Sequence, residues 1–261
     1  MAALNPAWLT RFSLTVLEFF LPRLCLFCGA GVGEAAAQAI CPECEAKIEW
    51  VASPLCPCCG LVFEARDGSD RLCGDCQTQA PPFARARAAA LYDPDGPVGQ
   101  AIKRLKFNGQ MAYLPLLQSW LKQPDCLELV ADADLLLPVP LHPRRLKGRI
   151  FNLHPKRLDG RGFNQSLLLA QGFPNKPINF EVLVRIKDTR PQVDLKTRKE
   201  RRDNVKGAFA VPQAAAVKGK KILLIDDLYT TGATARECAR VLSRAGAARV
   251  EVLTVARVKH E

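Results

Sequence analysis

The chain has 261 residues, which suffices for one large domain and a small one, and its apolar content of 48% is ordinary for a protein with a packed core. A formal net charge of +11 indicates anionic partners such as phosphates, nucleic acid or a membrane surface. Eight of the eleven cysteines fall into four Cys-x-x-Cys pairs, which favours metal binding in a reducing compartment over the disulfides of a secreted protein.

The N-terminal segment, residues 1–21, is predicted to form an amphipathic helix over residues 6–21 that packs on the protein or on a partner. Its apolar run at 12–21 has the character of a signal-peptide core, but Glu18 interrupts the run and no small-x-small cleavage motif follows it. The run is also too short to span a bilayer. We therefore expect no stable transmembrane span, and contact with a membrane surface is the alternative.

The cysteine segment, residues 22–80, is predicted to be a double zinc ribbon. A Cys-x-x-Cys turn followed by glycine curls so that backbone N–H groups face the thiolates, and two such knuckles supply the four sulfurs of a structural zinc site. The simplest pairing is sequential, an interleaved pairing stays open, and four copies in a row disfavour redox chemistry. The sequential ligand sets are Cys25, Cys28, Cys41 and Cys44, and Cys56, Cys59, Cys73 and Cys76.

The remaining residues, 81–261, are predicted to form one domain that follows the boundary sequence Ala-Pro-Pro at 80–82. Apolar runs and amphipathic patterns place its elements. Strands are expected at 85–92, 134–139, 181–186, 209–211 and 249–255, and helices at 96–107, 112–122 and 165–172.

A twelve-residue sequence occurs twice after the strand at 134–139. Residues 141–152 read LHPRRLKGRIFN and residues 153–164 read LHPKRLDGRGFN, so nine of the twelve positions are identical. Both copies are basic and follow the carboxyl end of a strand, where positive charge suits a pyrophosphate leaving group. The alternative is a solvated basic loop.

A strongly basic segment at 187–206 lacks apolar periodicity. A long polar segment near a phosphate site is a candidate mobile lid, and the alternative is a disordered surface loop.

The sequence KILLIDDLYTTGAT at 221–234 combines a buried strand, an acidic pair and a hydroxyl-rich turn that opens a helix. A helix N-terminus presents unpaired N–H groups that favour phosphate, and Asp226 and Asp227 can accept hydrogen bonds from ribose hydroxyls or lie near Mg²⁺. A phosphorylated ribose therefore satisfies both halves of the stretch. The alternative is an acidic pair of the Walker B kind, for which the chain contains no Gly-x-x-x-x-Gly-Lys-Ser/Thr partner. The predicted phosphate-binding residues are Thr230, Thr231, Gly232, Ala233 and Thr234.

This stretch closely resembles the phosphoribosyl pyrophosphate (PRPP) loop of type I phosphoribosyltransferases, an apolar strand followed by DD-x-x-TTG-x-T. Together with the cysteine knuckles, AIKRLKFNG, PVPLHPRRL, RGFNQS, TRPQVDL and RRDNVKGAF, it makes residues 22–257 similar to the ComF family. These are amidophosphoribosyltransferase-like proteins linked to competence for natural transformation.

The resemblance implies an α/β type I phosphoribosyltransferase fold, a mainly parallel sheet flanked by helices, with a small N-terminal zinc-ribbon domain. It implies a cytoplasmic protein that handles imported single-stranded DNA. Asp226 and Asp227 would be the catalytic pair that contacts the ribose hydroxyls, the loop at 230–234 would hold the 5′-phosphate, and Mg²⁺ would accompany PRPP. Arg161, or Arg144 in the other repeat copy, would lie near the pyrophosphate. ComF proteins usually have a single short basic turn between PVPLHPRRL and RGFNQS, whereas this turn is doubled here. The extra twelve residues are expected to bulge from this loop without disturbing the sheet.

Three functions remain open on the sequence. The first is transfer of ribose 5-phosphate from PRPP to an acceptor that the sequence does not mark. The second is binding of single-stranded DNA by the basic segments, which the scarcity of aromatic residues near them disfavours. The third is an adaptor whose zinc ribbon docks a helicase or a membrane channel.

Overall fold

The computed structural model describes residues 23–33, 39–65, 67–146, 162–191 and 194–259. The predicted N-terminal helix, Arg161 and most of the duplicated segment lie outside these ranges. The chain divides into two compact units, Met1–Ile48 and Glu49–Glu261. This division falls between the second and third Cys-x-x-Cys pairs, so the second predicted zinc site is part of the larger unit.

The small unit is organised around its cysteines. Leu24 and Gly31 form an isolated antiparallel bridge across the first knuckle, and helix α1 (Pro42–Glu45) begins directly after Cys41. In the larger unit, helix α2 (Gly74–Thr78) follows Cys73 in the same way. Each short helix thus carries the last cysteine of its set.

A four-stranded parallel sheet forms the centre of the larger unit, with strands in the order β1-β6-β5-β2. The strands are β1 (Arg85–Tyr92), β2 (Leu135–Pro138), β5 (Lys221–Tyr229) and β6 (Arg249–Val258). Continuous apolar runs such as Leu223 and Leu224, both fully buried, are what a sheet covered on both faces requires. Parallel pairing brings the carboxyl ends of the strands to one edge.

Helices flank this sheet. Helix α3 (Pro97–Asn108) buries Val98, Ile102 and Leu105 and ends at Gly109, whose φ of 65° is the left-handed conformation common after helices. The other helices are α4 (Leu114–Trp120), α5 (Pro124–Asp132), α6 (Pro143–Leu146), α7 (Gln165–Ala170), α8 (Arg198–Val205) and α9 (Ala233–Arg244). The predicted α/β fold with a mainly parallel sheet is confirmed.

A two-stranded antiparallel sheet, β3 (Val184–Arg185) with β4 (Phe209–Ala210), stands beside the main sheet. Between its strands lies the segment at 187–206, whose sequence lacks apolar periodicity. Residues 198–205 of this segment form helix α8, which the alternative of a disordered surface loop did not include. Thr197 and Glu200 form a reciprocal capping box at the start of α8, in which each side chain accepts a hydrogen bond from the other residue's backbone N–H. This cap supports a polar helix that apolar periodicity does not reveal.

Candidate phosphoribosyl site and cysteine clusters

A cleft of about 470 Å³ opens at the carboxyl edge of the parallel sheet. Its walls come from the end of β5, the start of α9, helix α3, and the arginine-bearing segments around α6, β3 and α8. The structure therefore brings together in one cleft the acidic pair and four of the five residues of the predicted phosphate loop, namely Thr230, Gly232, Ala233 and Thr234.

The acidic pair lies where β5 leaves the sheet. Asp226 Oδ1 accepts hydrogen bonds from Ser166 Oγ at 3.0 Å and from the backbone N–H of Asp227 at 2.9 Å. Burial of the carboxyl group raises the pKa of Asp226 to about 7, and the negative charge of Asp227 acts in the same direction. Asp227 is 6% exposed, and Lys106 Nζ lies 2.7 Å from its Oδ2. The Asp226 carboxyl group thus accepts hydrogen bonds from uncharged donors, whereas the Asp227 carboxyl group pairs with the charged Lys106.

Ser166 is held in place by its own neighbours. Helix α7 begins after Asn164, whose Oδ1 accepts from the Ser166 N–H at 3.0 Å while its Nδ2 donates to the carbonyl of Val139 at 3.1 Å. Asn164 therefore caps the helix and fixes it to the end of β2.

The phosphate loop turns sharply at Gly232, which precedes the twelve-residue helix α9 and has a φ of 71°. A side chain there would be strained by the backbone conformation and would also overlap the Tyr229 hydroxyl. The hydroxyl of Thr231 is buried and has no hydrogen-bond partner within the described part of the chain. A helix N-terminus combined with an unsatisfied hydroxyl suits an anion.

Arginines form the wall of the cleft that lies beyond the acidic pair. Arg145 Nη2 donates to the carbonyl of Thr189 at 2.5 Å, and Arg185 donates to the Thr189 hydroxyl. Burial lowers the pKa of Arg185, and the positive charge of Arg145 adds to that effect. Arg185 Nε is buried without a partner among the described residues. Two close guanidinium groups with an unused buried donor suit a polyanionic ligand.

Of the two predicted arginines, Arg144 is placed less favourably than Arg145. Arg144 lies outside the cleft lining, with its side chain 80% exposed and its Nη1 3.4 Å from Asp188 Oδ2. Arg161 falls outside the described residues. Lys106, Arg145 and Arg185 were not predicted as site residues. Lys106 lies in the AIKRLKFNG motif, and Arg145 is the neighbour of the predicted Arg144. Both residues could therefore have been selected from the sequence as candidate site residues.

The cysteines cluster in the two sequential sets, and this settles the pairing that the sequence left open. Within each set the sulfur atoms all lie within 4.8 Å of one another, with Sγ–Sγ distances of 3.5 Å for Cys28–Cys41 and 3.6 Å for Cys59–Cys73. A tetrahedron of sulfurs at ~2.3 Å from zinc has edges of ~3.8 Å, so both sets fit the metal.

Both cysteine sites have the same backbone support. The N–H of Cys41 points to Cys25 Sγ at 3.4 Å, and the N–H of Cys73 points to Cys56 Sγ at 3.5 Å. None of the eleven cysteines, all of which lie within the described ranges, forms a disulfide. The eight clustered cysteines support two structural zinc sites.

Within the described ranges, no helix has the length and apolar character needed to cross a membrane.

Two family models match the sequence. Residues 16–77 match a double zinc ribbon domain, and residues 178–261 match a phosphoribosyl transferase domain. A purine phosphoribosyltransferase from Pyrococcus horikoshii is 14% identical and covers 55% of this chain and 79% of its own, but its TM-score of 0.29 is too low to inform the fold.

Curated relatives match along almost the whole length. The chain is 32% identical over 247 residues to the DNA utilization protein YhgH of Escherichia coli O157:H7, covering 91% of this chain and 98% of the relative. It is 28% identical over 254 residues to Competence protein F of Haemophilus influenzae, covering 93% of this chain and 100% of the relative. It is 24% identical over 220 residues to Competence protein ComFC of Streptococcus pneumoniae, covering 84% of this chain and 88% of the relative. The chain therefore belongs to the ComF family and combines a double zinc ribbon with a phosphoribosyltransferase domain.

Proposed function

We propose that the chain binds PRPP together with Mg²⁺ in the cleft and acts on incoming single-stranded DNA during natural transformation. The observation that carries the proposal is that one cleft joins an acidic pair, a helix N-terminus and a cluster of arginines. These three groups complement the ribose hydroxyls, the 5′-phosphate and the pyrophosphate of a single ligand.

In this arrangement the loop at 230–234 holds the 5′-phosphate. The N–H groups that begin α9 and the Thr231 hydroxyl donate to the phosphate oxygens, and Gly232 keeps the backbone open to them. Asp226 and Asp227 accept hydrogen bonds from the ribose hydroxyls. Lys106 remains beside Asp227 and limits the negative charge that the ligand meets.

The pyrophosphate then lies against Arg145 and Arg185, with Arg201 also in the wall. Arg144 and Arg161 stay candidates for the same role on the family resemblance. Mg²⁺, when bound with PRPP, would neutralise part of the pyrophosphate charge. Attack of an acceptor on the anomeric carbon would break its bond to the pyrophosphate oxygen, and the released pyrophosphate would lie among guanidinium groups already positioned to receive it.

The role in DNA uptake is supported by the relatives, whose names refer to competence and to DNA utilization. The net charge of +11 and the exposed basic side chains of α8, including Lys199 and Arg202, suit a phosphate backbone. Eleven cysteines without a disulfide among them suit the reducing cytoplasm, so we place the protein there. A helicase or membrane channel of the uptake machinery is the kind of partner that the zinc ribbon would dock.

The experiment is calorimetric titration of PRPP, with and without Mg²⁺, into the wild type and the double variant Asp226→Ala/Asp227→Ala. Mg²⁺-dependent binding that the double variant loses supports the proposal. Absence of binding by folded, zinc-loaded wild type contradicts it. Titration of the same two proteins with fluorescent single-stranded DNA is the control. Unchanged, salt-dependent DNA binding by the double variant would indicate a separate DNA surface.

The alternative function is an active phosphoribosyltransferase. The observation that favours it is the apolar and aromatic part of the same cleft, to which Tyr92, Ile102 and Phe107 contribute, because such a wall can bind an organic acceptor. Release of pyrophosphate from PRPP that depends on an added acceptor would establish turnover. Release at the rate of spontaneous hydrolysis across an acceptor panel would leave binding as the function.

A further inference from the structure

The second cysteine site is bound to the sheet through its backbone carbonyls. In a zinc knuckle the N–H groups face the thiolates, so the carbonyls face outward. Three consecutive carbonyls of the knuckle at 56–60 accept hydrogen bonds from β1 and β6. The pairs are Arg87 Nη1 with Pro57 at 3.1 Å, Ala86 N with Cys58 at 2.7 Å, and Arg257 Nη1 with Cys59 at 2.6 Å.

Arg257 is the unusual member of this set, because its side chain is almost fully enclosed. The residue is 2% exposed, and its Nε and Nη2 have no hydrogen-bond partner within the described part of the chain. A buried guanidinium requires compensation. The carbonyl of Cys59 supplies one hydrogen bond, and a four-thiolate zinc site, with a net charge of about −2, supplies an opposite charge nearby.

Arg257 also reaches the phosphate loop through Tyr229. The two residues are register partners on β6 and β5, and the guanidinium carbon lies 5.3 Å from the centre of the Tyr229 ring. Tyr229 is 6% exposed, and Phe83 packs edge-on against its ring at 6.5 Å between centroids. The Tyr229 hydroxyl occupies the space that a side chain at Gly232 would need. A continuous chain of contacts thus joins Cys59 to the residue that precedes α9.

We propose that Arg257 is a positioning residue through which the second zinc site holds the phosphate loop in its binding conformation. Zinc fixes the knuckle, the knuckle carbonyl orients Arg257, and Arg257 fixes the Tyr229 ring against Gly232. The assignment of Gly232 to a phosphate loop rests on the proposed function. The mechanical coupling from Cys59 to Gly232 rests on the contacts alone.

The first test uses the full zinc-loaded chain and two substitutions of Arg257. Arg257→Met keeps the length of the side chain and removes its charge and donors, whereas Arg257→Lys restores the charge. We expect Arg257→Met to retain two zinc ions and to accelerate amide hydrogen exchange in the peptide 229–236 about tenfold, with Arg257→Lys intermediate. PRPP affinity should fall about tenfold in Arg257→Met. Wild-type exchange at 229–236 in Arg257→Met overturns the proposal.

The second test compares equivalent cysteines of the two sites, Cys41 and Cys73, each of which precedes a short helix. Cys73→Ser and Cys41→Ser should each reduce the zinc content to one ion per chain. Faster exchange at 229–236 is expected in Cys73→Ser and not in Cys41→Ser. Equal effects of the two substitutions, or no effect of either, contradict the proposal.

These tests separate the coupling from the proposed function. If Arg257→Met does not fold, the cysteine pair still decides the question. If the wild type binds no PRPP while exchange at 229–236 follows the second zinc site, the proposed ligand is wrong and the coupling stands.

Discussion

The Nζ atom of Lys106 lies 2.7 Å from Oδ2 of Asp227, and this ion pair joins the last turn of α3 to the end of β5. Asp227 is buried and stands beside a second carboxyl group. Without the lysine, two adjacent carboxyl groups would share one poorly hydrated site. The helix is therefore part of the site as well as part of the core.

Replacing Lys106 with methionine is expected to destabilise the protein by about 1–2 kcal/mol, less than for a fully buried pair because the lysine is partly exposed. Denaturant unfolding at pH 7.5 measures the loss. Lys103→Met is the matched control, because Lys103 lies in the same helix and donates to the carbonyl of Pro94 instead. Adding Asp227→Asn to Lys106→Met should recover most of the stability, and a double variant no more stable than Lys106→Met would contradict this explanation.

Stability should depend on the ionisation of Asp226. The folded protein raises the pKa of this carboxyl from 3.8 to about 7, so between these values the folded state retains a proton that the unfolded state releases. The contribution to stability therefore falls as the pH rises through this window. Asp226→Asn keeps an oxygen to accept from Ser166 and should increase the free energy of unfolding above pH 7 by about 1–3 kcal/mol, with little effect near pH 4. Denaturant midpoints at pH 4.5 and pH 8 measure the difference, and an equal shift at both values would argue against a raised pKa.

The left-handed backbone at Gly232 can be separated from its contact with Tyr229. Gly219 has a φ of 72°, close to the 71° of Gly232, but an added Cβ there meets no atom within 4 Å. Gly219→Ala should cost about 1 kcal/mol through backbone strain alone. Gly232→Ala should cost about 2 kcal/mol more, because Tyr229 is packed and cannot move aside. Thermal unfolding of both variants measures the two losses of stability. Equal losses would mean that the Tyr229 side chain moves to make room for the added methyl group.

The zinc content should be two ions per chain. Each set of four sulfurs is complete without any other ligand, so neither site depends on an external group. Colorimetric zinc release by a thiol-modifying reagent counts the metal. A value near one would contradict the two-site arrangement. Cys126→Ser, which changes a buried cysteine outside both clusters, should leave the count at two.

Strand β1 and the cysteine sets were predictable because their signals are local. The bounds of Arg85–Tyr92 agree with the sequence prediction, and the sequential pairing, the simplest one for the knuckle spacing beside an interleaved alternative, is the pairing observed. Helix α5 has no counterpart among the predicted elements, although Pro124 opens it and three apolar residues recur at helical spacing. The ion pair between Lys106 and Asp227 joins residues 121 positions apart, and only the tertiary fold determines such a contact.

The buried Arg257 shows the same limit. Arg257 belongs to a strand whose sequence indicates burial, yet the Cys59 carbonyl that makes its buried guanidinium tolerable comes from a residue 198 positions away. A sequence pattern treats such residues as exposed charges. The role of Arg257 behind the phosphate loop depends on the register between β5 and β6, which no local pattern specifies.

The hydrogen bonds of Arg145 and Asn164 give the tandem repeat an unexpected redundancy. Arg145 and Asn164 come from different copies, and each has an identical residue, Arg157 or Asn152, at the equivalent position of the other copy. Deleting either copy would leave one arginine and one asparagine at the usual spacing. Loop closure depends only weakly on length, so the shorter connection would change stability by ~0.6 kcal/mol. The doubled segment therefore contains two arginines and two asparagines where the hydrogen bonds require one of each. The second arginine and the second asparagine are free to change in sequence.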